Sequence, residues 1–481
     1  MMELYYDKIK GVTSNLDRIC FRVTLRWLLS TRVLKTFMNQ TLILLKNFSG
    51  KVGDLIAQVR QSCESVVRQS VIETFNMTLK LVFAVIAPAF LAVGFDNSEP
   101  DCLTVHAVHR DIDFQPGQEA SAGLARDLLG RSDVSGGLVV HLGSGDGVLT
   151  AALCAGESFL VHGLERDPTE VERSRAWLDS RGLHGQVLID TWDGYRLPYL
   201  DNLVTLIIAE DADDVTEEEM LRVLAPQGTA LLKRGVEWTK IVKPRTDAID
   251  EWTHYLGGPD NNAVSDDLLV GPPRHIQWLA APRWTRHHHT LNSISSVVTA
   301  DRRLFYIADE ASPANINLPS KWTIIARDAF NGVTLWKKPM ESWLYHRHGF
   351  RSGPAQAPRM LVASANRLYT ALTLSGPVSE LDAVTGETVK TFNGTTGAEE
   401  IILADNTLLV MVGDPEAEHA FTHPTVQQRY GLPNKKSIVA VDRSTGNTLW
   451  RWNPAGHPVP ETLASDGMNA FVRVGGGGCM P

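Results

Sequence analysis

Two short stretches and one acid carry the residues best suited to form a small-molecule site. Gly143, Ser144, Gly145, Asp146 and Gly147 are consecutive, between the apolar run 138–142 and the apolar start of 148–154. Glycines at this spacing let a backbone loop approach a ligand closely, with free N–H groups at the start of a helix to meet it. Glu165 follows 20 residues after Gly145, at the end of the apolar run 159–164. An acid so placed can accept both hydroxyls of a ribose. Asp193 stands in the turn-rich stretch Asp193-Gly-Tyr-Arg-Leu-Pro-Tyr199. Histidines form a separate group: His254, His275, the run Arg286-His-His-His289, and Tyr345-His-Arg-His348. Clustered imidazoles can bind a transition metal or steer an anion. Their spacing fits no zinc signature and no acids are interleaved, so they are expected to be loop histidines, with no metal site. No catalytic residue is singled out.

The elements that must hold the glycine loop and its acid alternate regularly. The run 138–142 reads as a buried strand, 148–154 as the opening of a helix, and 159–164 as a second strand. A helix over 169–180 and strands at 186–189 and 204–209 follow. Strands separated by helices make a mainly parallel sheet with a loop site at the strand ends.

With these elements in order, the segment 118–243 resembles the class I S-adenosylmethionine-dependent methyltransferases. His141-Leu-Gly-Ser-Gly-Asp-Gly147 is similar to the family's acid-x-Gly-x-Gly-x-Gly motif. The stretch 193–199 is similar to the one whose Asp faces the adenine amino group. Glu219-Met-Leu-Arg-Val-Leu-Ala-Pro-Gln-Gly228 is similar to the turn before the fifth strand. The resemblance implies a Rossmann-like fold and S-adenosylmethionine as cofactor, held through Gly143, Ser144, Gly145, Asp146, Gly147, Glu165 and Asp193. Two positions depart from the family: His141 replaces its acid, and Thr205 stands where an acid often precedes the fourth strand. Three readings therefore stay open: an active methyltransferase, ligand binding without catalysis, and a scaffold.

The second half of the chain is a repeat. Asp328-Ala-Phe-Asn-Gly-Val-Thr-Leu-Trp336 returns as Asp382-Ala-Val-Thr-Gly-Glu-Thr-Val-Lys390 and as Asp442-Arg-Ser-Thr-Gly-Asn-Thr-Leu-Trp450, at spacings of 54 and 60 residues. Each copy follows an apolar run and places Asn-Gly or Thr-Gly where a hairpin needs positive φ. Hairpins of this kind bury their apolar faces by stacking. The repeat resembles the blade motif of PQQ-like, quinoprotein-type β-propellers, in which the closing Trp docks on the neighbouring blade. Trp336 and Trp450 keep that residue and Lys390 does not. The reading predicts a linker over 244–274 and an all-β propeller over 275–481, incomplete at about three and a half blades. A long insertion at 414–436 interrupts the third blade, and 463–474 opens the fourth. Quinoproteins hold their quinone with an adjacent cysteine pair and calcium ligands. This chain has no Cys-Cys and no calcium loop, so PQQ is not expected as a cofactor.

Composition limits the partners. A net charge of -9 gives no basic field for a nucleic acid backbone,. Five scattered cysteines without a CxxC pair show neither a disulfide framework nor a zinc ribbon,. Residues 1–76 hold eleven basic and six acidic side chains, a balance of +5 that leaves -14 for the rest. A basic helical extension so unlike the remainder is expected to lie outside the native folded protein. Met77 then opens a signal-like segment, 77–96, whose 81–95 core is uncharged. A secretory signal peptide, an anchoring helix giving membrane association, and a buried helix are the alternatives. The first places the protein in the cell envelope, resembling multidomain bacterial proteins. Its propeller would then present His and Trp loops to a protein or glycan partner.

Overall fold

The computed structural model describes residues 118–475 apart from 184, 211–213, 272–275, 282–292, 316–317, 342, 344–356, 375, 414–435 and 460–461. The basic extension, the segment 77–96, and the histidines at 275, 287–289, 346 and 348 lie outside the described residues. Two compact units divide the chain, 1–104 and 105–481, and every described residue belongs to the second.

The first module is a six-stranded sheet flanked by helices. In chain order it runs α1 (Glu119–Ser132), β1 (Gly137–Leu142), α2 (Val148–Ala152), β2 (Phe159–Glu165) and α3 (Pro168–Ser180). Then come β3 (Val187–Thr191), β4 (Val204–Ala209), α4 (Glu217–Val223), β5 (Leu224–Arg234) and β6 (Glu237–Val242). The strand order is β3-β2-β1-β4-β5-β6, with β6 antiparallel to β5 and the other pairs parallel. Strands β1 and β4 are buried along their whole length, as their largely apolar sequences require, with His141 and Thr205 as buried polar exceptions,. One face packs Val139, Val161, Leu206 and Ile208 against Leu128, Leu149 and Leu178. The other packs Val140, Leu142 and Ile207 against Met220 and Val223. Local chemistry starts the helices: Asp167 accepts from Thr169 N at 2.9 Å ahead of Pro168, and Thr216 Oγ1 accepts from Glu219 N at 3.2 Å,. The chain order reverses between β1 and β4, which opens a crevice at the carboxyl ends of these strands.

Three four-stranded antiparallel sheets follow. The first holds β7 (Ile294–Ala300), β8 (Arg303–Asp309), β9 (Trp322–Asp328) and β10 (Thr334–Pro339). The second holds β11 (Leu361–Ser364), β12 (Arg367–Ala371), β13 (Val378–Asp382) and β14 (Thr388–Thr391). The third holds β15 (Ala398–Ala404), β16 (Thr407–Val412), β17 (Ser437–Asp442) and β18 (Thr448–Trp452). In each, sequence neighbours are sheet neighbours, and one apolar core runs through all three. Beyond them, Ala464–Ser465 pairs with Ala470–Phe471, and His457–Pro458 with Val474–Gly475. The run 276–280, at the start of the stretch read as propeller, makes no ladder. Instead Trp278 Nε1 donates to Ala329 O at 3.0 Å.

The stretch read as a linker is tied to the first strand of each four-stranded antiparallel sheet and to the short pair at 464–471. Thr299 N of β7 donates to Trp252 O at 2.8 Å, and Ala363 N of β11 to Thr253 O at 3.0 Å. Leu403 N of β15 donates to His254 Nε2 at 3.0 Å, and Ser465 N to Pro259 O at 2.8 Å. Its turn-forming composition reflects the tight corners at Gly257 and Asn261, both at positive φ.

Candidate functional site

The glycine loop leaves β1 at the crevice. Gly143, Gly145 and Gly147 have φ of 76°, 50° and 79°, a run that residues with a Cβ rarely adopt,. Gly147 has a second constraint, since a Cβ there would lie 2.9 Å from the Ile189 side chain. Asp146 is exposed, and its Oδ1 accepts from Val148 N at 3.0 Å at the start of the five-residue α2. Ser144 is buried, packed over Gly163 of β2.

Glu165, at the end of β2, turns back onto this loop. Its Oε2 accepts from Gly145 N at 2.8 Å, and its Oε1 from Arg166 N at 2.7 Å and Asp167 N at 3.3 Å. A carboxylate offers about four lone-pair sites, so three bonds leave room for about one more donor. The half-buried carboxylate is thus preorganised by backbone N–H groups and retains capacity for a hydroxyl.

Asp193 follows β3 on the same side. Trp192 N donates to Glu165 O at 2.9 Å, which sets the third stretch beside the second. Asp193 itself is exposed, and its Oδ1 accepts from Tyr195 N at 3.0 Å. The rest of the stretch is clamped by Arg222 of α4, whose Nη1 donates to Tyr199 O at 2.9 Å and whose Nη2 donates to Leu197 O at 3.1 Å. Glu219 fixes that guanidinium and accepts from Leu197 N at 2.8 Å. The Arg222 hydrogen bond holds the Glu219 carboxyl below its usual range. From the sheet side, Tyr199 OH bonds His162 Nδ1 at 2.8 Å, and His162 Nε2 bonds Asp190 Oδ2 at 3.0 Å. The loop, Glu165 and Asp193 therefore converge on the ends of β1, β2 and β3.

Position 141 carries a buried imidazole. Burial drives the His141 pKa down to about 4, against the opposing pull of Glu210, Glu165 and Asp146,. His141 Nδ1 and Thr150 Oγ1 share a hydrogen bond at 2.8 Å. His141 Nε2 and Ser144 Oγ are buried without a partner, two polar atoms that the fold alone does not satisfy,. Thr205, the second departure, points away from the crevice chemistry altogether. It is buried near the start of β4, where its Oγ1 donates to Asp328 Oδ2 at 3.0 Å.

Several residues that shape the site were not singled out from the sequence. Ser174 Oγ of α3 donates to Gly145 O at 2.6 Å and holds the loop from behind. Arg166 lies 5.7 Å over the Trp192 ring and pairs with Asp214 at 2.9 Å. Glu210 sits at the end of β4, across the crevice, paired with Lys233 at 2.9 Å. An acid directly after the apolar run 203–209 was the available signal for Glu210. His254, grouped from the sequence with the loop histidines, is instead buried because its Nε2 accepts from Leu403 N of the third antiparallel sheet, and burial lowers its pKa to about 4. Among the described residues no group of three or more His, Cys, Asp or Glu could hold a metal ion. Nor is any helix among them long and apolar enough to cross a membrane.

No family model matches the chain, and no curated protein matches it. Solved structures similar to it include a candidate S-adenosyl-L-methionine-dependent methyltransferase from Methanococcus maripaludis, at 22% identity and a TM-score of 0.22, covering 24% of this chain and 55% of that one. A candidate sarcosine dimethylglycine methyltransferase from Galdieria sulphuraria matches at 20% identity and 0.22, over 24% and 46%. The geranyl diphosphate C-methyltransferase of Streptomyces coelicolor, solved with Mg2+, geranyl diphosphate and S-adenosyl-L-homocysteine, matches at 16% and 0.22, over 24% and 45%. The chain thus spans about half the length of the structures it matches.

Proposed function

We propose that the 118–243 module binds S-adenosylmethionine at the glycine loop and serves a methyl transfer, with the three antiparallel sheets as successive propeller blades. The observation that carries the reading is the hydrogen bond from Gly145 N to Glu165 Oε2, which fixes the loop and the acid as one unit. Glu165 would take a ribose hydroxyl with its remaining acceptor capacity. The 143–147 backbone would lie along the amino-acid end of the cofactor, and Asp193 would face the adenine amino group. His141 and Ser144 supply unpaired polar atoms beneath the loop, consistent with a site completed by a ligand or water,. When bound, the cofactor supplies an electrophilic methyl group. The protein's part in such a transfer is mainly to align donor and acceptor and to exclude water.

Photo-crosslinking with labelled S-adenosylmethionine tests the assignment on the full chain. Label is expected in peptides carrying 143–147 or 193–199, and S-adenosylhomocysteine should compete it away. Label confined to the antiparallel sheets, or none that competes, would reject it.

A further inference from the structure

Residues 252–254 strap the first strands of the three antiparallel sheets together. Trp252 O and Thr253 O accept from β7 and β11, whereas the contact to β15 is made by a side chain, that of His254. The third contact therefore differs in kind. A backbone carbonyl accepts a hydrogen bond at any ordinary pH, but an imidazole nitrogen accepts only while it carries no proton.

Local bonds fix which nitrogen is bare. His254 N donates to Gly257 O at 3.0 Å and Gly257 N to His254 O at 3.2 Å, closing a tight loop. Thr253 Oγ1 donates to the same Gly257 O at 3.3 Å, so toward His254 Nδ1, 2.8 Å away, it offers a lone pair. Nδ1 thus carries the proton, and Nε2 accepts from Leu403 N at 3.0 Å in buried surroundings. A second proton on this ring has only Nε2 to go to, where it meets the Leu403 N–H head on. The other two buried histidines of the parallel-sheet module differ. His162 Nδ1 faces Tyr199 OH, an oxygen that can accept as well as donate, and His141 Nε2 has no partner to lose. Of the three, His254 alone cannot be charged without parting two elements.

The geometry points to His254 as an acid-operated latch: proton uptake releases the strap from β15 while the sheets themselves stay folded. This inference is independent of the cofactor reading. Asp260, on the strap itself, is the charge that acts on the ring in favour of the proton, and burial opposes it more strongly. β7 and β11 carry no titratable side chain. The two of β15 are paired, Glu399 with Lys436 and Glu400 with Arg359, and the Arg359 guanidinium lies 5.3 Å over the ring of Tyr255 on the strap. Latched, the ring titrates at about 4, and released it returns to 6.5. The released fraction therefore rises about tenfold for each pH unit of acidification between those values.

Hydrogen exchange of the full chain, read as protection factors at about pH 7 and about pH 4.5, tests the latch. The amides of Gly257 and Leu403 should lose about tenfold or more of their protection on acidification. At the lower pH their exchange should be indifferent to about 1 M urea, the mark of a local opening, whereas amides of β8 and β9 should exchange faster as urea is added. His254→Gln places a carboxamide that can accept from Leu403 N and does not titrate in this range. In that variant the two amides should keep their protection at both pH values. Unchanged protection in the parent, or a loss that grows with urea as it does in β8 and β9, overturns the inference, and both are read without the variant. An equal acid loss in His254→Gln overturns it as well.

Discussion

Thr205 Oγ1 donates to Asp328 Oδ2 at 3.0 Å and accepts from Asn331 Nδ2 at 2.9 Å, joining two residues 123 positions apart in sequence. Asp328 is the first turn aspartate of the repeats, and Arg302 pairs with the same oxygen at 3.1 Å. The corresponding oxygen of Asp382 meets Arg367, and that of Asp442 meets Asn406, each within its own sheet. Only at the first turn, among the described residues, does the parallel sheet provide a partner. Position 205 thus serves to fasten the first antiparallel sheet to the glycine-loop module, where an acid would face Asp328 across a buried contact.

Thr205→Val should therefore cost about 1–3 kcal/mol, because it leaves buried polar partners unpaired. Thr205→Asp should cost more, by setting two carboxylates together. Urea unfolding of the full chain would measure both. Equal stability of Thr205→Asp and the parent would contradict the role assigned to this contact.

Trp336 and Trp450 occupy the same repeat position in different surroundings. Trp336→Ala should destabilise by about 3 kcal/mol, the scale of removing a packed aromatic ring. Trp450→Ala should stay within about 0.5 kcal/mol, as an exposed substitution does. Thermal unfolding of the two variants side by side separates these outcomes.

His141 and His254 give the stability a pH dependence. Burial lowers both pKa values from 6.5 to about 4, so between those values the unfolded chain binds more protons than the folded one. Stability from these groups is complete above about pH 6.5 and is lost as pH falls toward 4, on the order of 3 kcal/mol per histidine. Urea unfolding at about pH 7 and about pH 4.5 reads the difference. His254→Phe should be less stable at neutral pH, having lost the acceptor for Leu403 N, and should show a flatter pH profile.

The glycine loop and Glu165 were legible in the sequence because their spacing is local: the motif occupies one turn, and the acid ends the next strand. The alternating elements fixed the parallel sheet for the same reason. The Thr205 contact was not legible, since nothing near residue 205 signals a partner at 328. The stretch 244–274 reads as linker from its turn formers, but three backbone carbonyls and the His254 imidazole within it accept from four separate sheets, and composition does not encode such partners. Ser174 and Arg222 were likewise hidden, as each bonds a backbone carbonyl far along the chain.

Arg222 offers a test of how the Asp193 stretch is held. Arg222→Lys keeps the charge and loses the fork that bonds Leu197 O, Tyr199 O and Glu219 together. Adenosine binding should weaken by about three- to tenfold, with a larger effect on the complex than on the stability of the parallel sheet. Calorimetric titration with adenosine, paired with a melting curve, would distinguish the two.

Under the proposed function, Glu165 and the glycine loop form one cofactor site. Isothermal titration of the full chain with S-adenosylmethionine, beside Glu165→Gln, tests it most directly. Saturable one-site binding is expected in the parent, weakened in the variant by about 1–3 kcal/mol, the scale for losing one charge-assisted hydrogen bond. No heat at about 1 mM cofactor, an affinity worth only about 4 kcal/mol, would contradict binding at this site. Equal affinity of parent and variant would remove Glu165 from it.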